Sequence, residues 1–313
     1  LKTSIIKRKQ YKNYLNTLSS QKFMNLENLI INKYKKLLLI PLLLLIISLA
    51  ILGMQYSSKG YIIEKDVSLS GGVSATLTLD EYNLEEIRFL LEENFPDSDI
   101  SIRELSTFGS KEKTGIIIDI TGTTSQEFKL FLEENLPYNE ISIQEMGAGL
   151  GESFFKEMIG AIIFALILMA IVIFIIFRKL VPSLAVILSA ILDLVVTLAV
   201  ISLFEIKLST AGIAAFLMVI GYSVDTDVLL TTRLIKRKEG TLEEKIKNSF
   251  KTGITMTVTT IVALTVGFFI TNSLVIKQMF GIVLIALVVD IISTWIMNTS
   301  LLVWYIKRKN EQS

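Results

Sequence analysis

Long apolar runs dominate the pattern. Each is about 20 residues, the length a helix needs to cross a bilayer, and six meet that test: 37–56, 158–177, about 181–204, about 208–230, about 253–272 and about 279–306. Pro182 falls near the start of the third, where its missing N–H is harmless. Between the first and second runs the pattern changes completely. Residues 57–156 alternate at period two over Val73–Leu79 and Gly115–Ile120 and take helical periodicity over Asn83–Phe95 and Ser125–Leu136. Within this stretch LEENFPDSDISIREL (91–105) matches LEENLPYNEISIQEM (132–146) at nine of fifteen positions, 41 residues apart. Each copy reads as a helix end, a Pro-marked turn and a strand. The order is β-α-β-β-α-β, which predicts a ferredoxin-like α+β domain. The expected fold is therefore a six-helix membrane bundle with this domain between helices one and two. Its parts are a basic segment 1–36, helix one at 37–56, the domain at 57–156, helices two to six within 157–306, and a tail at 307–313.

Composition agrees with the membrane reading. Of the 313 residues 51% are hydrophobic and 19% charged, against about 25% charged in ordinary soluble domains. Mean hydropathy is +0.58. With no Cys and no His, thiol nucleophiles, disulfides, Cys/His zinc sites and Ser-His-Asp triads are excluded. No cofactor and no metal site is expected. Net charge is +1, so no global field points to nucleic acid.

The placement of charge says more. Residues 1–36 hold nine basic side chains against one acid and no long apolar run of the kind a cleaved signal peptide needs. Residues 233–251 carry seven against three, and Lys307, Arg308 and Lys309 close the chain. The positive-inside rule puts both termini in the cytoplasm and 57–156 outside. That outer stretch has 19 acids and eight bases. Its acidity reads first as solubility, and an exposed sheet edge there could accept an extended chain. The basic N-terminal segment reads as a tail that fixes topology, or as a helix lying on anionic lipid.

Ionisable residues inside the spans are the candidate chemistry, because a buried charge costs about 2.5–3.5 kcal/mol on insertion scales and is usually functional. They are Asp193 in span three, Asp225 and Asp227 in span four, and Asp290 in span six. Asp225 is the leading candidate, with Tyr222 and Leu229 near its face. Asp227 lies about 200° away around the helix, so the two do not form a dyad. A carboxyl group held out of water stays protonated until water reaches it, which is the chemistry of a proton relay. The competing reading is a structural aspartate bonded to span-five threonines (Thr252, Thr255, Thr257, Thr259, Thr260). Arg233 can snorkel to the headgroups. Gly147–Gly151 reads as a flexible joint. Small residues at Gly212, Gly221, Gly253 and Gly267 permit close helix packing.

Local motifs carry a family resemblance. Leu69-Ser-Gly71-Gly72 after span one, Gly149-Leu-Gly151 before span two, Gly221-Tyr222-Ser223-Val-Asp225 with Arg233, and Lys251-Thr-Gly-Ile-Thr255 with Thr259-Thr260 resemble elements of the SecF family of protein-export membrane proteins. These belong to the larger resistance-nodulation-division (RND) transporter group, and the chain is most similar to archaeal forms. It departs from the family pattern at Ser68, where an acid is usual and Asp66 is displaced, and at Lys251, where bacterial members have Arg. In an ungapped match the bacterial span-four Asp falls at Thr226, whereas Asp225 matches the SecD sibling.

The resemblance implies a non-enzymatic auxiliary of the Sec translocase in the cytoplasmic membrane. It implies coupling to proton or ion flow, a SecD partner, a SecYEG-type channel and an exported polypeptide as substrate. The candidate ion-coupling residues are then Asp225, Asp227, Asp193 and Asp290, singled out by their place in the spans, with Lys251 and Arg233, and Gly71, Gly72, Gly221, Tyr222 and Ser223 are the motif residues. The alternative is an RND-type proton-coupled small-substrate transporter. An intramembrane aspartyl protease using Asp193 and Asp225 lacks the Gly-x-Gly-Asp spacing, and an assembly scaffold without ion coupling is a further reading.

Overall fold

The structure is a computed structural model and describes residues 31, 33–79, 82–106, 113–271 and 273–311. The basic segment over 1–30 lies outside the described residues. Among the described residues six helices are long and apolar enough to cross a membrane. In chain order the elements are α1 (Leu39–Lys59), α2 (Val67–Ser70), β1 (Gly72–Thr78), α3 (Leu84–Asn94), β2 (Ile100–Ser106), β3 (Lys113–Ile120), α4 (Ser125–Asn135) and β4 (Glu140–Met146). There follow α5 (Ala148–Phe177), α6 (Leu180–Leu203), α7 (Thr210–Ile235), α8 (Leu242–Ile270), α9 (Leu274–Ile292), a π-helical turn (Ser293–Asn298) and α10 (Thr299–Glu311).

The outer stretch forms one antiparallel sheet in the order β2-β3-β1-β4. Ala75 of β1 lies opposite Ile118 of β3 and Ile143 of β4, and Ile102 of β2 opposite Ile118. Alternation sends Val73, Ala75, Leu77, Ile116, Ile118 and Ile120 to one face. There they bury against Ile87 and Leu91 of α3 and Phe128 and Leu132 of α4. Asn83 caps α3 and Thr124 caps α4, each side chain accepting a first-turn N–H. Gly115 is obligatory: a Cβ there would lie 2.1 Å from the Leu77 carbonyl oxygen.

The helices outrun their apolar runs. At 30 residues α5 is about 45 Å long, well beyond a hydrocarbon core of about 30 Å. Its first turns therefore stand outside the membrane. Residues 148–151 are helical, not the flexible joint the glycines suggest, and a Cβ on Gly151 would sit 2.9 Å from Gly71 N and 3.0 Å from Leu69 C. The double-glycine motif is thus packed backbone to backbone on the start of α5. α8 also starts early, in the basic loop, because Thr241 and Glu244 form a reciprocal capping box.

Between α1 and β1 the chain is strapped to the α6–α7 loop. Asp66 N donates to Leu208 O and Leu208 N to Glu64 O, each at 2.8 Å. Ser202 Oγ donates to Ile62 O at 2.9 Å, Lys207 pairs with Glu64 at 2.9 Å, and Thr210 N donates to Ser68 Oγ at 3.2 Å. Ser68 therefore helps cap α7.

Candidate functional site: a buried carboxyl cluster in the bundle

Three of the four intramembrane aspartates converge. Asp193 on α6 and Asp227 on α7 are fully buried, and Asp290 near the end of α9 is 2% exposed. Small hydroxyl and amide side chains hold them, and most of the bonds cross between helices. Ser223 Oγ of α7 donates to Asp193 Oδ2 at 2.5 Å. Ser293 Oγ of the π turn donates to Asp193 Oδ1 at 2.5 Å. Asn298 Nδ2 donates to Asp227 Oδ1 at 2.6 Å, and Thr294 Oγ1 to Asp290 Oδ1 at 3.0 Å.

The hydrogen bonds leave acceptors unused, and Ser189 Oγ, near Asp227, is a buried hydroxyl also left without a partner. Asp227 Oδ2, Asp290 Oδ2 and Asn298 Oδ1 are buried without a partner. Among the described residues none of the three carboxyls is in an ion pair, and no three acidic side chains are arranged to hold a metal ion. Uncompensated buried charge costs several kcal/mol per ion. What the cluster lacks is a positively charged donor. A narrow gap between α7 and α9, lined by Tyr222, Ser223, Ala286, Leu287 and Asp290, is too narrow for water.

The π turn is part of the site. Thr299 Oγ1 bonds to Thr294 O, five residues back, and Trp295 packs edge-on to Phe250 at 4.9 Å between ring centroids. The wider turn presents Ser293, Thr294 and Asn298 toward the carboxyls, and such turns recur at functional sites. Sequence reasoning missed these three. The signal was present: they follow Asp290 by three, four and eight residues, which is one helix face.

Asp225 is elsewhere. It is exposed on the flank of α7 beside exposed Gly221 and Tyr222, and among the described residues it has no hydrogen-bond partner. The span-five threonines do not meet it: Thr255, Thr257, Thr259 and Thr260 bond back to carbonyls of their own helix. Arg233 ties α7 to α8: its Nη1 donates to Asn248 O at 2.7 Å and Thr252 Oγ1 at 3.0 Å. Lys251 is exposed. Gly71 and Gly72 lie far along the chain in the strap, where Gly72 adopts φ 128° and a Cβ would approach Ile120 O to 2.5 Å.

A second charged group joins the outer domain to the strap. Arg103 Nη2 lies 2.5 Å from Asp119 Oδ2 and 3.8 Å from Asp66 Oδ2, and Ser74 Oγ donates to Asp119 Oδ1 at 2.6 Å. Burial, and next the Asp119 charge, push the Asp66 carboxyl above its ordinary range against the pull of Arg103.

These features define a multi-pass helical membrane protein with an α+β domain inserted after its first span and a hydroxyl-held carboxyl cluster in its bundle. The family model described as protein export membrane protein SecD/SecF, C-terminal, matches residues 128–308. The protein-export membrane protein SecF of Methanolacinia petrolearia is 39% identical over 284 residues, covering 89% of this chain and 96% of that one. Its namesake in Methanocaldococcus jannaschii is 38% identical over 286 residues, covering 88% and 97%. The chain belongs to the SecD/SecF family of protein-export membrane proteins. Among solved structures, that of SecDF, a translocon-associated membrane protein from Thermus thermophilus, shares the fold at a TM-score of 0.72 and 18% identity. The match covers 90% of this chain but 38% of the Thermus chain.

Proposed function

We propose that this protein is the SecF-type subunit of the Sec translocase. In this reading it assists export across the cytoplasmic membrane and couples that work to proton flow through its bundle. The observation that carries the coupling is the cluster of Asp193, Asp227 and Asp290, an acceptor-rich group with no buried cation. A proton entering when the Tyr222–Ser223 gap opens supplies the missing donor. Since the bonds to Asp193 and Asp227 run between helices, adding or removing that proton favours one packing of α6, α7 and the π turn over another. Arg233 and Lys251 mark the cytoplasmic side of this path.

A SecD-type partner fits the flank. Asp225 facing lipid would cost about 2.5–3.5 kcal/mol on insertion scales, and a second bundle laid over it removes that cost. Gly221 beside it has nothing within 4 Å of a would-be Cβ, so its smallness does not serve packing within this chain. Basic residues at 233–251 and 307–309 support cytoplasmic termini and an outward-facing domain. The sheet order and the 41-residue repeat support a ferredoxin-like domain that moves against a SecYEG-type channel and the emerging chain.

Asp193→Asn and Asp290→Asn in the intact complex test the coupling. We expect both to co-purify with the partner at parental yield, while stimulation of export by a proton gradient falls at least tenfold. Parental stimulation in both variants overturns the reading. Gradient-driven transport of a small substrate by the protein alone, without a SecD-type partner, would replace it with the transporter alternative.

A further inference from the structure

The last membrane span starts beneath the sheet domain, and one face of it is left uncovered. Lys277, Gly281, Leu284, Ile285 and Val288 recur on α9 at the spacing of a single helix face. All are at least partly exposed, Val288 to 55%. Gly281 makes a notch in this face. A Cβ there would meet nothing nearer than Phe268 Cε2 of α8 at 3.5 Å, so packing within the chain does not require a glycine. One cavity of about 1460 Å³ has Phe268, Gly281, Leu284 and Ile285 at its helix end and Thr76 and Gln144 at its sheet end. It is therefore apolar along the span and polar under the sheet.

Depth narrows what fills the apolar end. Lys277 lies in the first turn of α9, at the level of the headgroups. Leu284 is about 10 Å deeper and Val288 about 16 Å, half of a hydrocarbon core of about 30 Å. A water-soluble ligand would have to bury polar groups there. A hydrocarbon chain enters sideways from the bilayer, since the face is exposed, and loses no hydration in doing so. Charge narrows what sits above. Lys207 and Arg103 on the cavity wall are engaged, with Glu64 and with Asp119 and Asp66. Lys277 is in no ion pair among the described residues. An unpaired ammonium above an apolar groove fits a molecule with an anion at one end and a hydrocarbon chain at the other.

We propose that this groove binds one phospholipid from the leaflet nearest the sheet domain. Its phosphate meets Lys277, one chain lies along Gly281, Leu284 and Ile285, and the sheet hydroxyls and amide face the rest of the headgroup. The inference needs only the membrane span, not the export reading, so each can fail alone. The full-length protein, with its co-purifying subunits, is placed in vesicles of phosphatidylcholine and phosphatidylglycerol. These contain a trace of phosphatidylglycerol with a diazirine midway along one chain. Light should attach this probe to residues 277–288 several-fold above the exposed faces of α1 and α5. Lys277→Gln and Gly281→Leu should each lower that labelling several-fold. Gly53→Leu, which fills open space on exposed α1, should leave it unchanged, as should millimolar inorganic phosphate. Even labelling of the three helices, labelling that Lys277→Gln or Gly281→Leu does not lower, or none at 277–288 because a subunit covers the groove, overturns the proposal. Displacement by phosphate also overturns it, and makes the site one for a soluble anion.

Discussion

Asp66 sits where the strap, the outer sheet and the α6–α7 loop meet, so its charge state is felt by all three. It faces Arg103 and Asp119 from the sheet and Lys207 from the loop, and it caps α2 through Val67 N at 2.6 Å. Because the fold raises its pKa, the folded junction holds a proton that the unfolded chain has already released. Stability from this group is therefore fullest below the ordinary carboxyl value and declines as pH rises from there through the folded value. Thermal unfolding of the full-length protein over that window should fall with rising pH in the parent and run flatter in Asp66→Asn; parallel profiles would remove Asp66 as the source. At this scale the sequence was partly legible. Intramembrane aspartates announce themselves by their depth, but depth does not say which way a side chain faces. Asp225 led for its motif, and it lies on the flank, while Asp193, Asp227 and Asp290 meet inside. The 200° separation of Asp225 and Asp227 already put them on opposite faces.

Elements decide whether the cluster can form. The π turn is held open by a large residue against a small one: a Cβ on Gly253 of α8 would lie 2.4 Å from Trp295 Cζ2. Gly253→Val therefore displaces Trp295 and with it the turn that presents Ser293, Thr294 and Asn298. Overpacking of this kind costs about 1–3 kcal/mol. We expect faster amide exchange over 290–299 and weakened coupling, with the outer-domain strands unaffected; unchanged exchange across the turn would show that it does not depend on this contact. Helix existence was plain from the apolar runs, but helix ends were not. α5 and α8 each begin about ten residues before the run, one through packing on Leu69 and Gly71, the other through a capping box. The π turn leaves no propensity signal, since the ring of bonds that favours it forms only after three helices meet.

At the scale of the molecule Gly221, Tyr222 and Asp225 form an exposed polar patch on the flank of α7. Gly221→Leu fills open space and leaves internal packing alone. It should leave the isolated subunit's thermal unfolding unchanged while reducing co-purification of the SecD-type partner several-fold. Normal recovery of the partner would place the interface on another flank. Domain order and the duplicated motif could be read along the chain, because they are local. The junction of the strap with the α6–α7 loop could not, because Asp66 and Leu208, which bond there, lie 142 residues apart in the chain.

One helix ties these regions together. α7 carries Asp227 inside the bundle and begins at Thr210, whose N–H is held by Ser68 of the strap. Seventeen residues separate the two positions, about 25 Å of rigid rod at 1.5 Å per residue. Pivoted at the carboxyls, a tilt of about 5° sweeps the outer end through about 2 Å. In the proposed coupling, such a lever turns a change of one hydrogen among the carboxyls into a stroke on the strap at Ser68, with no need for the sheet domain to change its own shape.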